Sequence, residues 1–580
     1  MRFVDSDTTT PDASHPTLQR ANARAPGQVP RDPRGRQRYL DAALAEIPRL
    51  LGAMDRNPYH ATYGCLDREY WHYRTSDFPC EMHQEGVLPL ALAYTHSLPG
   101  NSWHGVPRVR ELCLAALRFS ARSGHRDGSC DDYYPFERAL GAAVFSLLAA
   151  VETCLLLEVD DAEILAALAQ RGAWLLQHDE TGQLSNHQAL AALGLWQLGR
   201  LTGRAEFRVG AAVRLGRVLD WQHPEGWFNE YGGADPGYQT VTIACLAKYR
   251  RLSGDALVDA PLERAVRFAR RFLHPDLSYA GEYGSRGTYH FYPHGMELLA
   301  AQSPAAADLA DGYLQALAVG RQAYFTDDRM YAHRLAGLIE SYLDWSPTRP
   351  GCMATANVDS HEWLLGAQIY VRDTPGGKTV ISAARGGVFK HFPAEPCVRS
   401  ATPCVTDAGL VLEFTNGRVA VSQLHDLGRQ VACEPATSLI VAGPLHWARH
   451  ETATPLKLIL FRTLLLTAGR WCRALVRGLL QRRLITGRRA CPVRFTRRFE
   501  FAAANDSGKR SGAIRVVDTL ELLDPRLTAR RMSYGVDHQA TYVAATGVYQ
   551  QSVLQPWSSL DDYVDELNRK RRVTITRELS

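Results

Sequence analysis

The sequence has no C-x-x-C pair among its 12 cysteines, and its first residues lack the basic, apolar and small-residue succession of a secretory signal. Without these features, we expect reduced and mostly buried thiols in place of disulfides or a zinc site. No DNA- or RNA-binding motif is present, and a net charge of +5 over 580 residues is too small to indicate a nucleic-acid partner. The sequence therefore predicts a cytoplasmic protein that binds no nucleic acid.

The composition is that of a globular chain with at least two domains. Hydrophobic residues make up 46% and charged residues 22% of the chain, which is enough apolar material for two substantial cores. Residues 1–36 are an exception, because Pro, Thr, Asp and Arg dominate there. We predict a disordered tail over 1–36, followed by folded domains.

Residues 37–350 carry apolar residues at helical spacing and almost no strand-like alternation. The triplet Glu230-Tyr231-Gly232 returns about fifty residues later as Glu282-Tyr283-Gly284. Helix starts recur at the same interval, which accommodates one helix out, one helix back and their loops; they lie near Gln84, Pro135, Asn186, Pro236 and Pro293. We predict stacked helical hairpins, which form either an open solenoid or a closed toroid.

Two of these helix starts carry groups suited to chemistry. Asn186 and His187 follow the start of a Ser-x-x-Gln capping box, and Tyr238 follows an Asp-Pro cap. First helical turns have unpaired backbone N–H groups and favour anions. An amide, an imidazole and a phenol at two such ends suit a carboxylate-bearing substrate, so Asn186, His187 and Tyr238 are predicted catalytic residues.

Alternate helices of such hairpins are equivalent, so the other helix starts and the Gly-rich loops should face the same cleft. Aromatic residues there suit the C–H faces of sugar rings. Each of them taken alone could equally be a helix cap or a packing aromatic. The predicted substrate-binding residues are Gln84, Tyr134, Glu230, Tyr231, Tyr283, Arg286, Tyr289, His290, Tyr292 and His294.

Residues 351–580 change to period-two alternation, which is typical of β-strands. Asn416-Gly417 between two alternating runs is a strong hairpin signal. Several short strands without intervening helices predict an antiparallel β-sandwich. The predicted fold class is therefore a multidomain chain, α then β, with helical hairpins over 37–350 and the sandwich over 351–580.

One segment interrupts the strands. Residues 456–489 hold nine Lys or Arg residues and no Asp or Glu, among apolar residues at helical spacing. The charges are too frequent for a membrane-spanning helix. Such a basic amphipathic helix either lies at a membrane interface, here the inner face of the membrane, or covers its own domain.

Taken together, these features resemble the heparinase II/III family of polysaccharide lyases. The resemblance rests on Asn-His followed by a Tyr about fifty residues later, and on diffuse similarity in the segments 65–73, 281–284 and 384–390. It implies that the helical part is a closed (α/α) toroid. It also implies that Asn186 and His187 neutralise a uronate carboxylate, whereas Tyr238 takes part in proton transfer.

The chain departs from that family at one point. Family members commonly have a His-x-His-x-Asp-like element on an early strand of the sandwich. The corresponding stretch here, 403–409, keeps Asp407 and Gly409 but contains no His. His391 or His425 could take the place of the missing histidine, and we retain His391 as a candidate catalytic residue.

The predicted reaction is β-elimination on an anionic, uronic-acid-containing polysaccharide, with a place in surface or exopolysaccharide metabolism. Donors aimed at the carboxylate stabilise the charge that develops there, and His187 or Arg286 would favour the phenolate of Tyr238. This mechanism needs no cofactor or metal. Two alternatives remain open: a toroid hydrolase that uses acids from a set comprising Glu230, Glu282, Asp131 and Asp132, and a non-catalytic sugar-binding protein.

Overall fold

A computed structural model describes residues 28–180, 182–321, 330–351, 360–393, 404–434, 436–448, 453–480, 487–502, 513–535 and 557–579. Of the predicted tail, 1–27 lies outside the described residues. The prediction is wrong for the rest of the tail, because strand β1 (Gln28–Pro30) pairs antiparallel with β2 (Thr348–Pro350) and a 3-10 helix follows over Pro33–Arg36. Arg31 also forms an ion pair of 2.8 Å with Asp311, so this segment is held by partners distant in sequence.

The first domain consists of helical hairpins arranged in two concentric layers. In the inner layer α4, α6, α8, α10, α12 and α14 contact one another in that order, and α14 returns to α4. The outer layer comprises α5, α7, α9, α11, α13 and α1. The helices are α1 Gln37–Leu44, α2 Ile47–Ala53, α3 Arg68–Trp71, α4 Val87–Thr95, α5 Pro107–Ser123, α6 Leu140–Leu157, α7 Ala162–Gln177, α8 Ser185–Thr202, α9 Ala205–Asp220, α10 Pro236–Ser253, α11 Asp259–Arg270, α12 His294–Leu299, α13 Pro304–Val319 and α14 Tyr331–Leu343. The ring is closed, which confirms the predicted toroid.

Helix α6 shows why the inner layer forms. Apolar residues occur on every side of it, the pattern of a helix surrounded by other helices. Within the described part of the chain it is the one helix long and apolar enough to cross a membrane, yet 89% of that apolar window is buried inside the protein. It is therefore a core helix of the toroid.

One end of the inner ring is filled by a buried ionic cluster. Lys248 of α10 lies 2.6 Å from Glu152 of α6 and also pairs with Glu340 of α14. His294 joins the cluster, with its Nδ1 3.3 Å from Glu340. Glu152, Lys248 and Glu340 lie toward the C-terminal ends of α6, α10 and α14, so the N-terminal ends of those helices remain for the opposite mouth of the ring.

The second domain is an antiparallel sandwich, as predicted. Among the described residues, one sheet has the order β3-β4-β5-β6-β7, and the other has the order β15-β14-β8-β9-β11-β12-β13-β16 with β10 paired to β11. Tyr370 and Phe389 of the first sheet pack against Val441 and Phe499 of the second in one buried cluster. The strands are β3 Ser360–Leu364, β4 Ile369–Thr374, β5 Gly377–Ser382, β6 Val388–Pro393, β7 Val405–Asp407, β8 Leu410–Phe414, β9 Val419–Val421, β10 Gln430–Glu434, β11 Ser438–Trp447, β12 Ala490–Phe501, β13 Ile514–Leu522, β14 Ala529–Tyr534, β15 Ser558–Ser559 and β16 Arg572–Leu579, with the short helix α16 over Val564–Lys570.

The basic insertion forms a helix, α15 (Pro455–Leu480), between β11 and β12. It reaches the first domain, because Arg462 pairs with Asp77 and the ring of Phe461 packs edge-on against Tyr134 at 5.4 Å. The helix therefore lies against the toroid.

The five-stranded sheet packs against the loops of the toroid. Glu225 accepts hydrogen bonds from the backbone N–H groups of Gly366 and Ala367, and the buried Lys390 of β6 lies 3.2 Å from the buried Glu282. Leu364 and Val380 extend the core of the helical domain into the sheet. Sheet and toroid thus share one hydrophobic core.

Candidate functional site

A cavity opens at the mouth of the toroid where α6, α8, α10 and α14 begin. Polar and aromatic side chains dominate its wall, and several of them were predicted from the helix starts. It is lined by Met82, Asp132, Tyr133, Glu137, Ala139, Gly141, Phe145, Leu184, His187, Tyr231, Tyr238, Arg286 and Met330. The structure thus brings together four of the predicted site residues: His187, Tyr231, Tyr238 and Arg286.

Asp235 holds Tyr238 and Arg286 together. As the N-cap of α10, it accepts a hydrogen bond of 3.0 Å from the backbone N–H of Tyr238. Its other carboxylate oxygen accepts the backbone N–H of Arg286, also at 3.0 Å, and the Thr288 hydroxyl donates to the same side chain. One carboxylate therefore ties the start of α10 to the 284–288 loop.

This tether places a cation on the face of a phenol. The guanidinium carbon of Arg286 lies 3.8 Å from the centre of the Tyr238 ring and 5.2 Å from that of Tyr231. Burial lowers the pKa of Arg286, but the negative charges that Tyr238, Tyr231 and Glu230 carry when ionised raise it more, so that it lies above its usual range. A cation at this distance is attracted to the electron-rich face of the ring.

His187 lies in the same wall with a defined orientation. Its Nδ1 is 2.8 Å from the buried carboxylate of Glu180, and its ring packs edge-on against Phe145 at 6.0 Å. Gly141 makes room for the imidazole, because a Cβ at that position would come within 2.9 Å of its Cε1. With Nδ1 engaged by Glu180, Nε2 remains for a bound substrate.

Asn186 is buried and does not line the cavity. Its side-chain Nδ2 donates to Glu230 at 2.7 Å, and its backbone N–H donates to the same oxygen at 3.1 Å. The other oxygen of Glu230 lies 3.4 Å from Arg286. Burial raises the pKa of Glu230, whereas Arg286 and Asn186 oppose the rise. Asn186 is therefore connected to the cavity wall through Glu230 and Arg286.

His290 lies behind Tyr238. It is fully buried, its ring is 5.0 Å from that of Tyr238, and neither of its nitrogens has a hydrogen-bond partner in the described part of the chain. Burial, with a contribution from the cations of Arg334 and Arg286, lowers its pKa well below the usual range. The imidazole is therefore neutral and packs as an aromatic ring.

Three predicted binding residues have structural roles outside the cavity wall. Gln84 accepts the backbone N–H of Leu66 and donates to two backbone carbonyls. Tyr283 is buried, with its hydroxyl 2.8 Å from His274, and Tyr289 donates to Glu282. These three side chains pack in the core or anchor loops. The sequence left this open as the alternative to substrate binding.

Three further candidates also lie outside the cavity wall. His294 pairs with Asp344 at 2.8 Å and belongs to the ionic cluster. Tyr292 is buried, and its backbone N–H donates to Thr240. Tyr134 packs against α15, beside the lining residue Tyr133.

The predicted catalytic His391 is buried inside the sandwich. Side chains alternate along β6, so His391 shares a face with the core residue Phe389, whereas Lys390 on the opposite face reaches the toroid. Its Nδ1 is 2.8 Å from the Thr379 hydroxyl. The structure therefore does not bring His391 to the cavity.

His425, the other histidine considered for this role, lies against the site. A Cβ added at Gly233 would come within 2.6 Å of His425 Nε2 and 2.9 Å of Ser285 Cβ, next to Arg286. Partial burial, with Arg385 nearby, lowers the pKa of His425 to about 3. A neutral imidazole from the sandwich thus touches the loops that carry Tyr231 and Arg286.

No protein-family model and no curated protein sequence matches this chain. Among solved structures it is similar to the chondroitin AC lyase of Streptomyces coelicolor in complex with chondroitin sulphate (12% identity, TM-score 0.49, 87% of this chain and 68% of that one). It is also similar to a mutant of heparan sulfate lyase HepC from Pedobacter heparinus (10% identity, TM-score 0.37, 87% of this chain and 71% of that one). A third similar structure is a family 127 β-L-arabinofuranosidase from Geobacillus stearothermophilus (12% identity, TM-score 0.36, 95% of this chain and 96% of that one).

Proposed function

We propose that this protein cleaves a uronic-acid-containing polysaccharide by β-elimination. The observation that carries the proposal is the guanidinium of Arg286, 3.8 Å from the centre of the Tyr238 ring, with His187 in the wall of the same cavity. A phenol held under a cation can act as a base near neutral pH, which an ordinary tyrosine does poorly.

In this mechanism the phenolate of Tyr238 takes the proton from the carbon next to the uronate carboxylate. The electron pair of that C–H bond forms a new C=C bond, the bond to the glycosidic oxygen breaks, and the leaving oxygen receives a proton from the Tyr238 hydroxyl. Arg286 donates to the carboxylate as its charge grows, and so does Nε2 of His187 in its protonated form, with Nδ1–H bonded to Glu180. Removal of one such donor typically lowers the rate about 10²- to 10³-fold.

Asn186 and Glu230 are positioning residues in this proposal. Their hydrogen bonds hold the guanidinium of Arg286 from behind the cavity wall. The role at the substrate carboxylate that the resemblance implies for Asn186 passes to residues that line the cavity.

A second candidate function is glycoside hydrolysis, because Asp132 and Glu137 line the same cavity. Paired carboxylates are what a glycosidase requires. Of the other acids considered, Glu230 and Glu282 are buried in ion pairs, and Asp131 accepts backbone N–H groups of Phe136 and Arg138. The two reactions differ in their products, since only elimination leaves a C=C bond.

The test is incubation of the full chain with chondroitin sulfate, heparan sulfate, hyaluronan, alginate and polygalacturonate. The ultraviolet absorbance of unsaturated uronate should rise with at least one polymer. Tyr238→Phe should lower kcat by about 10²-fold or more, because it removes the proton-transferring oxygen and little volume.

Tyr283→Phe is the matched control. It removes a tyrosine hydroxyl from the core rather than the cavity, so it should lower Tm and leave kcat within about twofold. Comparable activity of Tyr238→Phe and the wild type would place proton transfer elsewhere. New reducing ends without ultraviolet absorbance would support the hydrolase, and binding without cleavage would support a sugar-binding protein.

A further inference from the structure

The exposed surface of α15 carries many apolar side chains. The inward side of the helix is closed, because Leu465 and Val476 are buried and Phe461 packs against Tyr134. Eight other apolar side chains of the helix are between 44% and 75% exposed: Leu456, Leu458, Ile459, Leu460, Leu464, Leu466, Leu475 and Leu479. Packing against the toroid thus leaves much of the helix exposed.

On an ideal α-helix, the arginine positions of α15 fall beside three of these leucine positions. At 3.6 residues per turn, the positions of Arg462, Arg470, Arg473 and Arg477 fall within an arc of about 80°. Leu456, Leu460 and Leu464 occupy a neighbouring arc of about the same width. No acidic residue occurs between 456 and 489 to offset the arginines.

We propose that α15 docks this protein on an anionic lipid surface. A bilayer offers an apolar layer for the leucines next to a plane of negative headgroups for the arginines, which is the environment of an interfacial amphipathic helix. A protein partner would need an apolar groove bordered by acidic side chains to match both features. The lipid surface supplies the apolar layer and the negative charges along the whole helix.

The docked helix lies beside the cavity. Phe461 packs on Tyr134, whose neighbour Tyr133 lines the cavity, and Arg462 pairs with Asp77 of the same domain. Binding of α15 to a bilayer therefore brings the mouth of the toroid close to that surface. This inference does not depend on the reaction proposed for the cavity.

The experiment is co-sedimentation of the full chain with vesicles of phosphatidylcholine alone, or of phosphatidylcholine mixed with phosphatidylserine, at low and high salt. Binding should require the anionic lipid and should weaken at high salt, because salt screens exposed charges. The triple variant Arg470→Gln, Arg473→Gln and Arg477→Gln should bind at least about tenfold more weakly at low salt.

Two further variants separate charge from apolar contact. Leu456→Gln, Leu460→Gln and Leu464→Gln should weaken binding at both salt concentrations. The control is a triple variant with Arg531→Gln, Arg569→Gln and Arg572→Gln. It changes the net charge by the same amount at exposed sites outside α15, so it should bind as the wild type does. Melting curves check that each variant is folded.

Equal binding by the wild type and by both α15 variants would overturn the proposal. Absence of vesicle binding by the wild type would also overturn it and would assign the apolar surface to a protein partner.

Discussion

At the scale of single residues, His391 shows how burial sets a protonation state. Burial, with the Arg372 cation nearby, lowers the pKa of His391 to about 4. An unfolded histidine titrates near 6.5. Between these values the unfolded chain binds more protons than the folded one, so the free energy of unfolding falls as the pH drops from about 6.5 to about 4.

His391→Gln should make this fall less steep, by up to about 1.4 kcal/mol per pH unit within that window. Urea unfolding at a series of pH values measures the slope. His361→Gln is the control, since His361 lies exposed on β3 and should leave the slope unchanged. An unchanged slope in the His391 variant would mean that this histidine titrates alike in the folded and unfolded chains.

Residue patterns predicted where the helices start better than they predicted which side chains form hydrogen bonds and ion pairs there. Asp235 caps α10 as its Asp-Pro signal indicates. Ser185 begins α8, but its hydroxyl donates to the carbonyl of Asn229 instead of capping the helix. Pairs such as Glu180 with His187 depend on how the chain folds back, and no local pattern in the sequence reveals them.

At the scale of elements, the start of α10 and the 284–288 loop behave as one unit because of Asp235. Asp235→Ala removes a helix cap, worth about 1 kcal/mol, and leaves the N–H of Arg286 and the hydroxyl of Thr288 without this acceptor. We expect a lower Tm and a loss of elimination activity of at least about tenfold, because Arg286 is no longer held over Tyr238.

Asp161→Ala provides the comparison. Asp161 is the side-chain N-cap of the outer helix α7, where it accepts the backbone N–H groups of Glu163 and Ile164. Its loss should lower Tm and leave activity unchanged. Equal activity of the two variants would show that the tether from Asp235 does not position the guanidinium.

The sequence predicts some strand ends in the sandwich directly, whereas it does not predict pairings that close the first domain. The Asn416-Gly417 signal corresponds to the turn between β8 and β9, where Gly417 has a φ of +75°. By contrast, β1 was missed because its pairing partner, β2, lies at the other end of the first domain. A three-residue strand with so distant a partner has no local signature.

At the scale of the whole molecule, toroid and sandwich are joined by a buried ion pair. Lys390→Met would leave Glu282 buried without its cation, and breaking a pair of this kind typically costs about 3–5 kcal/mol. We expect calorimetry to show a lower Tm and separate unfolding of the two domains, since the shared core then holds them less strongly.

Arg271→Met is the control at the same junction. Arg271 pairs with Glu362 of β3 at 2.5 Å, but both side chains are partly solvated, so its loss should cost at most about 1 kcal/mol. Equal destabilisation by the two substitutions would mean that burial of the Lys390 pair contributes nothing to the junction.

Closure of the ring also sets the order in which the chain can fold during its synthesis. Helix α1 buries Tyr39, Leu40 and Ala43 in contact with α13 and α14, the last two helices of the ring. A ribosome that adds 5–20 residues per second takes roughly fifteen seconds to a minute to reach α14 after α1. During that time the apolar side of α1 has no native partner, so the nascent chain needs shielding from aggregation until its final ring helix emerges.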